Sequence, residues 1–209
     1  MTNSYLYIYI DSHNTTNIEM DLRITNIDDA KCMIKSLSNY DILYIYINHK
    51  SDINDAILMI FLNEIMINNT ITKLYISNYY CWDDYFSDDK IISKNIFNSI
   101  ANIIEINTCI KKLVLHIKQI SDSDFKCIAN AIIYNNILEI LDFVNVDLLS
   151  ESDRDNVKYG QCDNVGKYFI ESLTNNTSLK HIYGIDVGDM LDSDMIASRC
   201  QQKRIKVAN

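Results

Sequence analysis

The stretch Ile120-Ser121-Asp122-Ser123-Asp124-Phe125-Lys126-Cys127-Ile128-Ala129-Asn130-Ala131-Ile132-Ile133-Tyr134-Asn135-Asn136-Ile137-Leu138-Glu139-Ile140-Leu141-Asp142-Phe143 changes its apolar period part-way. Ile128 and Ile132 lie four apart, the spacing of one helix face, whereas Leu138-x-x-Leu141-x-Phe143 ends in strand-like alternation. Asn135 stands between them, three residues before the apolar anchor Leu138. The stretch reads as a helix, a turn and a short strand.

The same arrangement recurs along the chain. Asn39/Ile42, Asn68/Ile71, Asn107/Ile110, Asn135/Leu138 and Asn176/Leu179 each pair an Asn with an anchor. The triplets are Ile42-x-x-Ile45-x-Ile47, Ile71-x-x-Leu74-x-Ile76, Ile110-x-x-Leu113-x-Leu115, Leu138-x-x-Leu141-x-Phe143 and the imperfect Leu179-x-x-Ile182-x-Gly184. Ten residues before the anchors come Cys32, Phe61, Ile100, Ile128 and Phe169; six before them come Ser36, Ile65, Ile104, Ile132 and Leu173. Only Ser36 breaks the apolar pattern. A single such unit cannot bury its own apolar face, so stacked units are implied. The Asn side chains read as turn residues, because Asn tolerates left-handed backbone and bonds locally.

The 120–143 stretch, with its partial echo Val165-Gly166-Lys167-Tyr168-Phe169-Ile170-Glu171-Ser172-Leu173-Thr174-Asn175-Asn176-Thr177-Ser178-Leu179, resembles a leucine-rich repeat of the ribonuclease-inhibitor type. The resemblance covers about residues 29–185 and implies an α/β leucine-rich repeat solenoid. It would be curved, with a parallel sheet on the concave side and helices on the convex side, and have about five repeats plus terminal caps. One departure is clear: where the family places Asn or Cys three residues after the last triplet residue, this chain has Tyr79, Lys118 and Val146. The family's ladder of buried side-chain hydrogen bonds therefore lacks its usual residues.

The anchors step by 29, 39, 28 and 41 residues from 42 through 71, 110 and 138 to 179. Units of this class run about 20–29 residues, so two steps carry insertions, placed near 79–90 and 148–163. Both follow a strand, which puts them on one edge about 10 Å apart, given about 4.8 Å between strands. Residues 1–28 are assigned to an N-terminal cap, with Leu6-x-Ile8-x-Ile10 and Ile18-x-Met20-x-Leu22-x-Ile24 as strands. Residues 186–209 form a C-terminal cap with a helix near 192–202. One domain is expected over 1–209: four Gly, no Pro and no low-complexity tract leave no linker.

Composition narrows function further. A net charge of −9 opposes a phosphate backbone, and the Lys203-Arg204-Ile205-Lys206 tail reads as a complement to a helix end. No stretch is a secretory signal or long enough to span a bilayer, which places the chain in the cytoplasm, or in a host cell's cytoplasm for a viral or intracellular bacterial source. Heavy use of Ile, Asn, Asp, Lys and Tyr fits an AT-rich genome. None of the six cysteines forms a Cys-x-x-Cys pair, so structural thiols are expected, and Asp153-x-Asp155 lacks the Gly and distal Glu of a calcium loop. No nucleophile, phosphate-loop or zinc motif surrounds His116, His181 or Cys109. No cofactor or metal is expected, and catalysis is not.

What remains is recognition of a protein partner. Alternation turns the middle of each triplet outward, predicting a column of Tyr46, Tyr75, Val114, Asp142 and Tyr183, flanked by Tyr44 among others. Aromatic anchors among mixed charges suit a protein-binding surface. The two insertions, the first with Trp82 and four Asp between 79 and 89 and the second adding Glu151, Asp153 and Asp155, are a second candidate for a basic partner. A structural or assembly component of a larger complex is the alternative reading.

Overall fold

Parallel strands cannot be joined by a tight turn; each pair needs a crossover, and among the described residues helices supply it. The computed structural model describes residues 6–11, 41–47, 54–77, 94–117, 119–144, 147–149, 168, 171–172, 174–183 and 206–208. In chain order the elements are β1 (Leu6–Asp11), β2 (Ile42–Ile47), α1 (Asn54–Ile67), β3 (Lys73–Ser77), α2 (Lys94–Ile106) and β4 (Lys112–His116). They continue with β5 (Gln119–Ser121), α3 (Asp122–Tyr134), β6 (Ile140–Phe143), β7 (Asp147–Leu149), β8 (His181–Tyr183) and β9 (Lys206–Ala208). Tyr168 and residues 171–172 and 174–175 are also helical. None of the described helices is long and apolar enough to cross a membrane.

The main sheet runs β1-β2-β3-β4-β6-β8-β9, parallel throughout except where β1 lies antiparallel on β2. β1 falls within the expected N-terminal cap; the cap strand expected at 18–24 and the cap helix near 192–202 lie outside the described residues. Of the tail expected to complement a helix end, Lys206 opens β9 beside β8, and residues 203–205 lie outside the described residues.

Helix period decides the core. Leu58, Phe61, Leu62 and Ile65 of α1 are wholly buried, as are Phe97 and Ile100 of α2 and Phe125, Ile128, Ala129 and Ile132 of α3. They meet strand residues of one parity, Leu43, Ile45, Leu74, Ile76, Leu113, Leu115, Leu141 and Phe143. Phe125 and Phe143 join the layers with ring centroids 5.6 Å apart. α3 starts at Ser121, whose Oγ accepts from the Asp124 amide at 3.3 Å and donates to the Asp124 carboxylate, satisfying a helix-end donor reciprocally.

The corners between helix and strand are built from asparagine. Oδ1 of Asn68 accepts the amides of Thr70 and Ile71 at 2.9 and 2.8 Å, and that of Asn107 accepts Cys109 and Ile110, both at 2.8 Å. Asn135 binds Ile137 and Leu138 in the same way, and Asn176 binds Ser178 and Leu179. The amide nitrogens reach back one unit. Asn107 donates to the carbonyls of Ile65 at 2.9 Å and Asn68 at 2.8 Å, Asn135 to Ile104, and Asn176 to Ile132 at 2.7 Å and Asn135 at 2.6 Å. A ladder of buried side-chain bonds is therefore present, and it stands before the strand; Tyr79, Lys118 and Val146 lie outside the described residues. Asn135 itself has φ −78° and ψ 133°, extended where a left-handed turn residue was expected.

Two boundaries differ from expectation. Leu43 pairs with Leu74, Ile45 with Ile76 and Ile42 with Lys73 instead of Ile71, so the first triplet is displaced by two residues. Main-chain bonds agree: the Asp41 carbonyl accepts from Thr72 and Lys73 as the Thr72 carbonyl accepts from Lys111 and Lys112. A slip of two keeps every side chain on its face, so alternation cannot detect it. The second insertion was expected to begin at Leu148, yet residues 147–149 form β7, parallel to β5, and both strands begin nine residues after their anchors.

Candidate functional site

With Leu74 and Ile76 turned to the helices, Lys73, Tyr75 and Ser77 take the opposite, open face of the sheet. Register sets its rows. Ile42, Lys73, Lys112, Ile140 and His181 make one; Tyr44, Tyr75, Val114, Asp142 and Tyr183 make the next; Tyr46, Ser77 and His116 lie in the third. The middle row thus contains Tyr44 where the triplets predicted Tyr46. Tyr46 stands opposite Ser77, out of line with Tyr75, for the same reason that the triplet slipped.

Tyr44 and Tyr75 stack with centroids 4.2 Å apart and planes at 18°. Lys112 Nζ lies 5.4 Å from the Tyr75 ring centroid, a cation over an aromatic face. Val114 is buried in the middle of the row, and at its far side His181 stacks on Tyr183 at 5.8 Å and 8°. The rings of Tyr44, Tyr75, His181 and Tyr183 thus lie in two pairs, each ring half-buried.

Charges on this face are tuned by burial. Desolvation pushes the Asp142 carboxyl above its ordinary value, and Lys112 offsets part of that rise. Burial pushes the His116 imidazole down, favouring its neutral form. At the strand entrance the Lys180 ammonium donates to Glu139 Oε2 at 2.6 Å; this bond, with the fields of Lys180 and Lys111, holds the Glu139 carboxyl below its usual value.

No protein-family model matches the sequence, and no curated protein matches it. Among solved structures, the chain is similar to leiomodin-1 actin-binding site 2, a leucine-rich-repeat-type domain, with a TM-score of 0.56 and 16% identity. The match covers 87% of this chain and 94% of that one. At this identity the likeness speaks for the fold: an α/β arrangement of parallel sheet and helices of the leucine-rich-repeat kind.

The sheet brings Tyr44, Tyr75, Asp142 and Tyr183 into one row. Trp82 and the 79–90 insertion lie outside the described residues, as does the side chain of Tyr46. The groups considered for catalysis do not share a row: His116 is in register with Ser77 and His181 with Ile140, on strands separated by β6, while Cys109 lies in the corner before β4. Among the described residues, no group of three or more His, Cys, Asp and Glu has the geometry to hold a metal ion. The sequence reading did not single out Lys112. Its two-residue offset from Ile110, the same as that of Lys73 from Ile71, was the signal that it shares the face of Tyr75.

Proposed function

We propose that the chain is a non-catalytic protein-interaction module. In this reading it is a curved solenoid of about five ribonuclease-inhibitor-like repeats, and the open face of its sheet is the concave, partner-binding side. The observation that carries the reading is the Tyr44–Tyr75 stack under Lys112. Large rings already fixed against each other lose little side-chain entropy on docking, and Tyr is among the residues that dominate interface energies. Asp142 and Tyr183, farther along the row, supply a hydrogen-bonding rim to the same surface.

The leiomodin domain is named for binding actin, which supports binding over catalysis for this architecture and makes actin the first defined probe. The test compares wild type with a folded Tyr44→Ala/Tyr75→Ala protein in actin co-sedimentation and in capture from a cell lysate. A protein retained by the wild type and lost by the double variant supports the open face. Equal recovery by both removes it and directs attention to the 79–90 insertion. An intracellular setting, inferred from the sequence, sets the choice of lysate.

A further inference from the structure

Three large apolar side chains among the described residues are strongly exposed: Ile67 at 70%, Ile106 at 52% and Tyr134 at 72%. Their positions coincide. Each is the last residue of its helix and stands four before its anchor, Ile71, Ile110 or Leu138. Because α1 packs on α2 and α2 on α3, the three lie side by side at one edge. Neighbouring helix axes are about 8–10 Å apart, so the stripe is about 20 Å long. Scattered exposed apolar residues need no explanation, but a row of them at one repeat position marks an interaction site.

The surroundings specify what covers it. One turn earlier, Asn63, Asn102 and Asn130 are exposed; just after it come Asn69, Thr108 and Asn136, so polar side chains flank the stripe on both sides. None of the three helices has a basic residue in its last turn, and α1 and α2 carry Glu64 and Glu105 there. The asparagine ladder caps the helix ends with neutral amides, which leaves each helix dipole's negative end, equivalent to roughly half a charge, without a cation. Of the cations just beyond the corner, Lys180 is paired with Glu139 and Lys111 acts on the same carboxylate. The edge is apolar and negative, in a chain of net charge −9.

The geometry points to a second docking site along Ile67, Ile106 and Tyr134, whose occupant is a basic amphipathic segment of a partner protein. A helix of about 13 residues spans the stripe at 1.5 Å per residue, with its apolar face on the three side chains and Lys or Arg beside the helix ends. A second copy would bring a like-charged edge against this one, and an anionic membrane surface would be repelled. Lys206, the last residue of the chain's own basic run, is held in β9 on the far side of β8. The site is on the helix side of the molecule and is independent of the open face.

The experiment uses the full chain and fluorescein-labelled 18-residue peptides of one amphipathic pattern, either Leu/Lys or Leu/Glu, read by anisotropy at low and high salt. The variant Ile67→Ser/Ile106→Ser/Tyr134→Ser removes no charge, and Ile106→Lys reverses the field at a single exposed position; circular dichroism checks the folding of both. The Leu/Lys peptide binds wild type and weakens with salt, the Leu/Glu peptide does not bind, and either variant lowers Leu/Lys affinity at least tenfold. Tyr44→Ala/Tyr75→Ala leaves it unchanged. Absence of Leu/Lys binding, equal binding by both variants, or equal binding of the two peptides overturns the assignment. So does a wild-type dimer in light scattering that the triple variant abolishes, which would make the occupant a second copy.

Discussion

Asn68, Asn107, Asn135 and Asn176 make the same hydrogen bonds within their corners, whereas the open-face row reads Tyr44, Tyr75, Val114, Asp142 and Tyr183. Both sets occupy equivalent places in successive units. The corner must satisfy backbone groups that water cannot reach, and only one short amide side chain offers an acceptor and a donor at the right distance. The open face meets no such demand, so its chemistry varies from strand to strand. In this chain, sameness at a repeated position marks what holds the units together, and variation marks where a partner can be specified.

Breaking the corner should have the largest effect. Asn135→Ala strips a buried acceptor from the Ile137 and Leu138 amides and a donor from the Ile104 carbonyl. At about 1–3 kcal/mol for a buried group left unsatisfied, the loss should be about 3 kcal/mol in urea unfolding. A loss below about 1 kcal/mol would erase the distinction between corner and face.

The open face should respond in the other sense. Tyr44→Ala/Tyr75→Ala removes a stacked pair worth about 0.5–1.5 kcal/mol beyond its burial, and both rings are only half-buried. Thermal unfolding should therefore show a smaller loss for this double variant than for Asn135→Ala alone, while partner capture collapses. Equal destabilisation would mean that the tyrosines belong to the framework.

The smallest effect concerns Asp142. Its folded-state pKa is raised above the ordinary 3.8 by burial, so ionisation costs the folded protein more than the unfolded chain. This penalty is present above the raised value, fades as pH falls through it, and is gone below 3.8. Asp142→Asn should melt slightly higher than wild type at neutral pH, with the gap closing in acid; a gap that widens in acid would show that Asp142 is stabilised as an anion.

Much of the framework was legible because burial imposes period. Phe61, Ile100, Ile128, Ile65, Ile104 and Ile132 all enter the core at their expected offsets, and the register follows the triplets from β3 to β8. The slip at β2 was hidden because Leu43, Ile45 and Ile47 are all apolar at one parity, so the pattern reads the same after a shift of two. A clue was present in Ser36: with Tyr40 in the anchor place, the helix offsets fall on Ala30 and Ile34, and the polar mismatch disappears. The asparagines were visible but their reach to the preceding unit was not, since a contact across about 40 residues leaves no local trace. The exposed stripe escaped because Ile at a repeated offset is indistinguishable in sequence from core.

The ladder also has a direction. Asn107 completes the end of α1, Asn135 that of α2, and Asn176 donates to Ile132 in α3, so each of these helix ends is finished by a residue 31 to 44 positions later in the chain. During synthesis a helix would emerge with its terminal carbonyls facing water and would be sealed only when the next unit had left the ribosome. Stability would then be deposited from the amino terminus onward, always one unit behind the growing end, and a chain interrupted midway would fray from its last helix.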